Sequence, residues 1–206
     1  MADLEAIRLQ ALACTRCTLH ETRTQVVFGR GNPRASAVLI GEGPGRDEDR
    51  EGLPFVGAAG QILEQILAAV GLSEDDVFIT NTVLCRPPGN RVPLPAEMEA
   101  CRVHRESVLE AIDPPIVVLL GATALKAFFG PGAGITAMRG QRLEQGGRAF
   151  YPTFHPAALL RDPTRKRPVW HDFQRIVADF RLMQTAAAQD GATGSPSPGP
   201  GGEGNR

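Results

Sequence analysis

Four cysteines, a short glycine-rich run, one asparagine and one histidine are the residues whose types and spacing suit chemistry. Cys14 and Cys17 form a Cys-x-x-Cys pair, and Cys85 and Cys101 follow singly. Four thiolates suffice for one zinc ion or one four-iron cluster, against the plainer reading of buried apolar thiols and a chance pair. Gly41-Glu42-Gly43-Pro44-Gly45 follows an apolar run. No Gly-Lys-Ser/Thr follows it, and Arg46 stands where a dinucleotide fingerprint has its last glycine. Glu42, Asp47, Glu48 and Asp49 make this an acidic mouth, suited to a neutral ligand rather than a bare phosphate. Phe55 is either a core plug or a platform for a planar ring. Asn81 is either a turn former or a reader of a nucleobase edge, because its amide sets a donor beside an acceptor. His155 precedes Pro156, which biases it toward extended backbone.

These residues need elements to hold them. The spacing predicts a helix over residues 2–13, ending at Cys-Thr-Arg-Cys, and a first core strand over 36–40. A helix over 57–70 follows, with Ile62, Ile66, Ala69 and Val70 on one face. Strands are expected at 77–80 and 116–120, and helices at 95–112 and 122–129. A hairpin over 140–154 turns at Gly146-Gly147 and delivers His155. A last helix over about 168–184 carries Val169, Phe173, Ile176, Val177 and Phe180 inward. Strands alternating with helices imply an α/β fold with a mainly parallel sheet between helical layers. Ligands bind beyond the carboxyl ends of such strands. The Gly41–Gly45 run, Asn81, Gly121-Ala122-Thr123 and His155 each follow a strand, so one site on one edge is expected.

The chain has 206 residues, 42% of them hydrophobic, enough for one buried domain over 1–185. From residue 186 the composition becomes Gly, Pro, Ser, Ala and Gln, which predicts a disordered tail over 186–206. No run is long and apolar enough for a membrane span. The opening residues lack the pattern of a secretory signal, so a cytoplasmic protein with reduced thiols is expected. The net charge of −1 argues against a protein that coats nucleic acid unspecifically, but not against a local basic face.

Longer segments carry a resemblance. GEGPGRDEDREGLPFVGAAGQIL is similar to the first motif of the family 4, iron–sulfur-containing uracil-DNA glycosylases. TNTVLCRPPGNRVPLPAEMEAC resembles the segment holding their asparagine and two cluster cysteines, and FHPAALLR resembles their histidine motif. CTRC with TQVVFGRGNPRA matches their amino-terminal pattern, so the likeness spans roughly residues 4–184.

The resemblance implies a three-layer α/β/α sandwich around four mainly parallel strands, with one [4Fe–4S] cluster on Cys14, Cys17, Cys85 and Cys101. It implies that uracil is flipped out of single- or double-stranded DNA and its glycosidic bond hydrolysed. Gly41, Glu42 and Gly43 would form the first motif, Phe55 the stacking ring, Asn81 the base reader, and His155 the partner of uracil O2. Glu48 would crowd the C5 position. Gly43 stands where ordinary single-domain uracil glycosylases hold a water-positioning aspartate. The basic insertion of a class that bonds covalently to DNA is absent between Cys85 and Cys101. Arg86, Arg91, Arg102 and Arg105 flank the metal loop and are expected to meet DNA phosphates. Arg161, Arg165, Lys166 and Arg167 form a second such group. The enzyme is expected to act as a monomer. The competing readings are a non-catalytic iron–sulfur module for DNA binding or electron transfer, and a nucleotide-binding enzyme.

Overall fold

The structure is a computed structural model that describes residues 3–192. Its elements run α1 (Leu4–Leu12), β1 (Arg30–Gly31), β2 (Ala37–Gly41), α2 (Arg46–Glu51), α3 (Ala58–Ala69), β3 (Val77–Asn81) and α4 (Pro95–Ile112). They continue with β4 (Ile116–Leu120), α5 (Ala122–Phe129), α6 (Ile135–Met138), β5 (Leu143–Gln145), β6 (Arg148–Thr153), α7 (Pro156–Arg161) and α8 (Lys166–Ala192). One sheet has the strand order β1-β3-β2-β4-β6-β5. Its four inner strands are parallel, as expected. The sheet is nevertheless mixed and six-stranded, because β1 and β5 pair antiparallel at the two edges. β1 is two residues long, too short to stand out in a sequence, while β5 is the first arm of the expected hairpin through Gly146 and Gly147.

Both faces of the inner strands are covered, which is why they read as unbroken apolar runs rather than alternating ones. Val38, Ile40, Phe78, Val117, Leu119 and Phe150 point into a core shared with α1, α4 and α5. Leu39, Ile79, Val118, Leu120 and Tyr151 point the other way, into a core shared with α3, α7 and α8. The expected apolar side of α8 is buried at all five positions. Among the described residues no helix is long and apolar enough to cross a membrane.

Three details differ from the expectation. The buried stripe of α3 is Gly60, Leu63 and Leu67, continued by Val70, while Ile62 and Ile66 flank it only partly buried. The acidic stretch after the glycine run, between the elements expected at 36–40 and 57–70, is itself a helix, α2. Gly45 caps it, and the Glu48 carboxylate returns to the Gly45 N–H at 3.0 Å. Helix α8 continues to Ala192, past the expected boundary at 185. Ala186-Ala187-Ala188-Gln189 are strong helix formers, so composition alone misplaced that end. The rest of the expected tail, 193–206, lies outside the described residues.

Gly60 shows how tightly α3 meets the loop before it. A Cβ there would lie 1.8 Å from the Phe55 carbonyl oxygen, a backbone atom that cannot turn aside. Within a helix, Gly→Ala normally stabilises by about 1 kcal/mol. Here the sign reverses. Gly60→Ala is expected to destabilise by about 2 kcal/mol or more through overpacking, read as a lowered midpoint in urea denaturation.

Candidate active site

Strand order sets where a cleft opens. From β2 the chain moves to β3 on one side and then to β4 on the other, so the loops after β2 and β4 diverge. A cleft of about 430 Å³ lies at this carboxyl edge. Gly43, Glu48, Phe55, Asn81 and His155 line it together, so the one-edge expectation holds for residues up to 112 positions apart in the chain (43 to 155).

Asn81 ends β3 opposite Gly41 of β2 and is 3% exposed, with its amide at the cleft wall. Gly41 permits this closeness: a Cβ there would lie 2.4 Å from Asn81 Oδ1 and 2.6 Å from the Phe55 ring. Phe55 holds a left-handed backbone, φ 55°, which is uncommon for a bulky side chain. Glu48 keeps the loop there. One carboxylate oxygen accepts from the N–H groups of Val56 and Gly57 at 3.1 and 2.9 Å, and the other from Gly45. Asp49 is also engaged, accepting from the Thr24 N–H and hydroxyl at 2.8 and 2.7 Å. The acids after β2 therefore do not act as one anionic mouth, because two of the four brace the backbone.

His155 leaves β6 and caps α7. Its ring stacks on Phe55 with centroids 5.6 Å apart and planes 25° apart. The Ala157 N–H donates to Nδ1 at 3.1 Å, so a neutral ring carries its proton on Nε2. Burial, reinforced by Arg161, pushes the His155 pKa down to about 4. Thr153 just before it is anchored by donating to Asp172 of α8 at 2.6 Å. Glu42 lies half-buried beside the cleft, in an adjoining notch with Gly43, Pro44 and Asn90. Thr123, at the start of α5, donates its hydroxyl to Glu42.

The arginines divide. Arg86 lines the cleft and donates to Asn90 at 2.7 Å, and Arg91 lines the adjoining notch but is held by two bonds to Glu97. Arg102 pairs with Glu99 and Glu106 along α4, and Arg165 pairs with Asp162 over the Phe154 ring. Arg161, Lys166 and Arg167 are exposed. Arg105 is corrected: it is 4% exposed, packed on Phe128, and no surface contact. Arg46 was missed as a cation, although its place directly after the glycine run was a signal. It lines the cleft with an exposed side chain.

The four cysteines come together away from the cleft. Cys14 follows α1, Cys17 opens the next turn, Cys85 lies four residues after Asn81, and Cys101 is on α4. All four line one small cavity with Arg16, His20, Arg23 and His104. Arg23 Nη1 donates to Cys85 Sγ at 3.1 Å, and His104 Nε2 is buried without a partner. Burial, with Cys85 and the other sulfurs nearby, pushes the Cys101 thiol up to about 12, so a thiolate there calls for a metal cation. Among the described residues, no three His, Cys, Asp or Glu side chains form a group able to hold a single metal ion.

A mainly parallel α/β sheet whose edge gathers an amide, a neutral imidazole and an aromatic ring has the chemistry to suit a flat, uncharged, hydrogen-bonding ligand. The Uracil DNA glycosylase superfamily pattern matches residues 28–180. The chain is 43% identical over 176 residues to the Type-4 uracil-DNA glycosylase of Thermotoga maritima, covering 84% of this chain and 92% of that one. It is 41% identical over 184 residues to the Type-4 uracil-DNA glycosylase of Archaeoglobus fulgidus, covering 85% and 92%. The match to that of Sulfurisphaera tokodaii is 40% over 185 residues, covering 85% and 84%. The chain belongs to the type-4 uracil-DNA glycosylases.

The depressed His155 pKa has a stability consequence. The unfolded ring takes its proton near 6.5 and the folded ring only near 4. Between those values the unfolded chain binds more protons, so the contribution is full above pH 6.5 and is lost as pH falls through 4. Urea midpoints of wild type and His155→Asn, measured from pH 7.5 to 4, are expected to diverge in slope. Wild type should lose up to about 3 kcal/mol more than the variant.

Proposed function

We propose that this chain removes uracil from DNA by hydrolysing its N-glycosidic bond, leaving an abasic site. The observation that carries the reading is the meeting of Asn81, Phe55, His155 and Glu48 in one cleft. A base inside a duplex is out of reach of such a cleft, so it must be extruded from DNA first. The Asn81 amide would accept from uracil N3–H and donate to O4. Cytosine presents the reverse pattern and is rejected. Phe55 would stack on the ring. His155 Nε2–H would meet O2, where negative charge grows as the bond breaks toward an oxocarbenium-like sugar. A neutral donor held against that oxygen would need no reorganisation at the moment of reaction. Glu42, oriented by Thr123, would hold the attacking water in the adjoining notch. Arg86, Arg46 and Arg161 are the cations best placed to meet phosphates.

The same proposal puts one [4Fe–4S] cluster on Cys14, Cys17, Cys85 and Cys101. The shared cavity and the Arg23 donor to Cys85 support it. One zinc would draw four sulfurs to within about 3.8 Å of one another, as ~2.3 Å bonds require. A cluster takes one thiolate on each iron, which a looser ring of cysteines fits. The cluster would brace the segment from Asn81 to Cys85 and supply no step of hydrolysis. We also propose that the enzyme works in the cytoplasm, where thiols stay reduced, and acts on uracil-containing DNA as a single chain.

Base release from oligonucleotides with uracil opposite guanine, opposite adenine and in single strands tests the activity, and no release would overturn it. His155→Ala is expected to lower the single-turnover rate by roughly 100-fold or more, the worth of one such donor.

Glu48 yields a second test. Thymine differs from uracil by one methyl, and attraction alone discriminates a methyl by only about 1–3 kcal/mol. A rigid wall excludes it better. Glu48, whose carboxylate is held by three backbone bonds, would be such a wall. Glu48→Ala is expected to release detectable thymine from a thymine:guanine duplex while keeping most uracil release. Unchanged blindness to thymine in an active variant would assign the wall to another residue.

A further inference from the structure

The cavity of the four cysteines contains a donor that the proposed activity does not use. His104 lies on α4, three residues after Cys101, and so shares its face of the helix. It lines the cavity and is only 7% exposed. Its Nε2 is buried with no hydrogen-bond partner in the protein. A buried unpaired ring nitrogen is costly, and leucine would fill the same volume without that cost. Of the other polar side chains around the cavity, Arg16 is exposed and two have partners. Arg23 donates to Cys85 Sγ, and His20 Nδ1 is paired with the Cys17 carbonyl at 2.7 Å.

We propose that His104 donates its Nε2–H to a sulfur of the iron–sulfur cluster, so that with Arg23 it sets the cluster's reduction potential and its hold on iron. This rests on the cluster reading given above. The physical argument is that the cluster with four thiolates is an anion whose sulfurs accept hydrogen bonds. Each donor offsets negative charge, which eases reduction and resists loss of iron. His104 is a positioning residue here, not a ligand, because the four cysteines already fill one place on each iron.

The test uses the intact protein as isolated, in wild type, His104→Leu and His104→Gln, with iron content measured first. With about four irons per chain in each, His104→Leu is expected to shift the redox equilibrium about tenfold toward the oxidised state, a midpoint about 59 mV more negative for one electron. Its cluster absorbance should also fade several-fold faster under an iron chelator, and His104→Gln, which keeps an N–H, should lie between. A fully loaded His104→Leu with the wild-type midpoint and fading rate overturns the proposal. If His104→Leu does not fold, wild type labelled with ¹⁵N-histidine decides. A nitrogen hyperfine coupling to the reduced cluster, retained in His20→Leu, supports the proposal, and its absence overturns it. Wild-type protein that holds zinc or no metal overturns the cluster reading itself, an outcome distinct from loaded protein that ignores His104.

Discussion

Covering four parallel strands on both faces is the constraint from which the rest follows. With Val38 and Ile40 turned into one core and Leu39 into the other, β2 has no face left for polar chemistry. Polar groups are pushed to the carboxyl edge, where backbone and side chain run out together. Asn81, Glu42, Thr123 and His155 stand there because the interior excludes them. Beyond the last ladder pair the strands still hold one another. The Thr82 N–H and hydroxyl both donate to the Gly41 carbonyl, at 2.9 and 2.8 Å. The Asn81 amide therefore projects from a rigid ledge.

The segment from Gly45 to Gly57, which includes α2, is held differently. It has no sheet to pair with, so one carboxylate, that of Glu48, gathers its two ends. Phe55 sits between those ends in an unfavourable backbone conformation, pressed onto Gly60 on one side and stacked on His155 on the other. Rigidity at this site thus comes from charge-assisted bonds to backbone N–H groups, which are stronger than neutral ones. The far end of the segment that begins at Asn81 is tied by the Val27 N–H, which donates to the Leu84 carbonyl at 2.8 Å, next to Cys85.

Much of this was legible in residue order. The four inner strands, the helix at 95–112 and the helix at 122–129 follow from apolar period and from glycine and proline punctuation. Convergence of the Gly41–Gly45 run, Asn81 and His155 follows from each lying at or just after the end of a strand. What order could not show was how each side chain is used. Asp49 and Glu48 read as neighbours in a run of acids, yet one bonds Thr24 and the other bonds Val56 and Gly57. Arg105 read as one more basic residue beside a cysteine, yet it is buried against Phe128. The α3 stripe was displaced because Ile62 and Ile66 are larger than the glycine that marks the true contact. His104 carried no signal, since a single histidine on a helix has no pattern until its surroundings are known.

Gly41 carries a consequence for how this site can change over generations. Its missing side chain is the space in which Asn81 and Phe55 meet, at 2.4 and 2.6 Å from where a Cβ would stand. A lineage cannot gain a side chain at position 41 while both neighbours stay in place. A single substitution at position 41 is therefore blocked, so a descendant that gains a side chain there must change its neighbours with it. A combinatorial library aimed at new base specificity should vary positions 41, 55 and 81 as one unit.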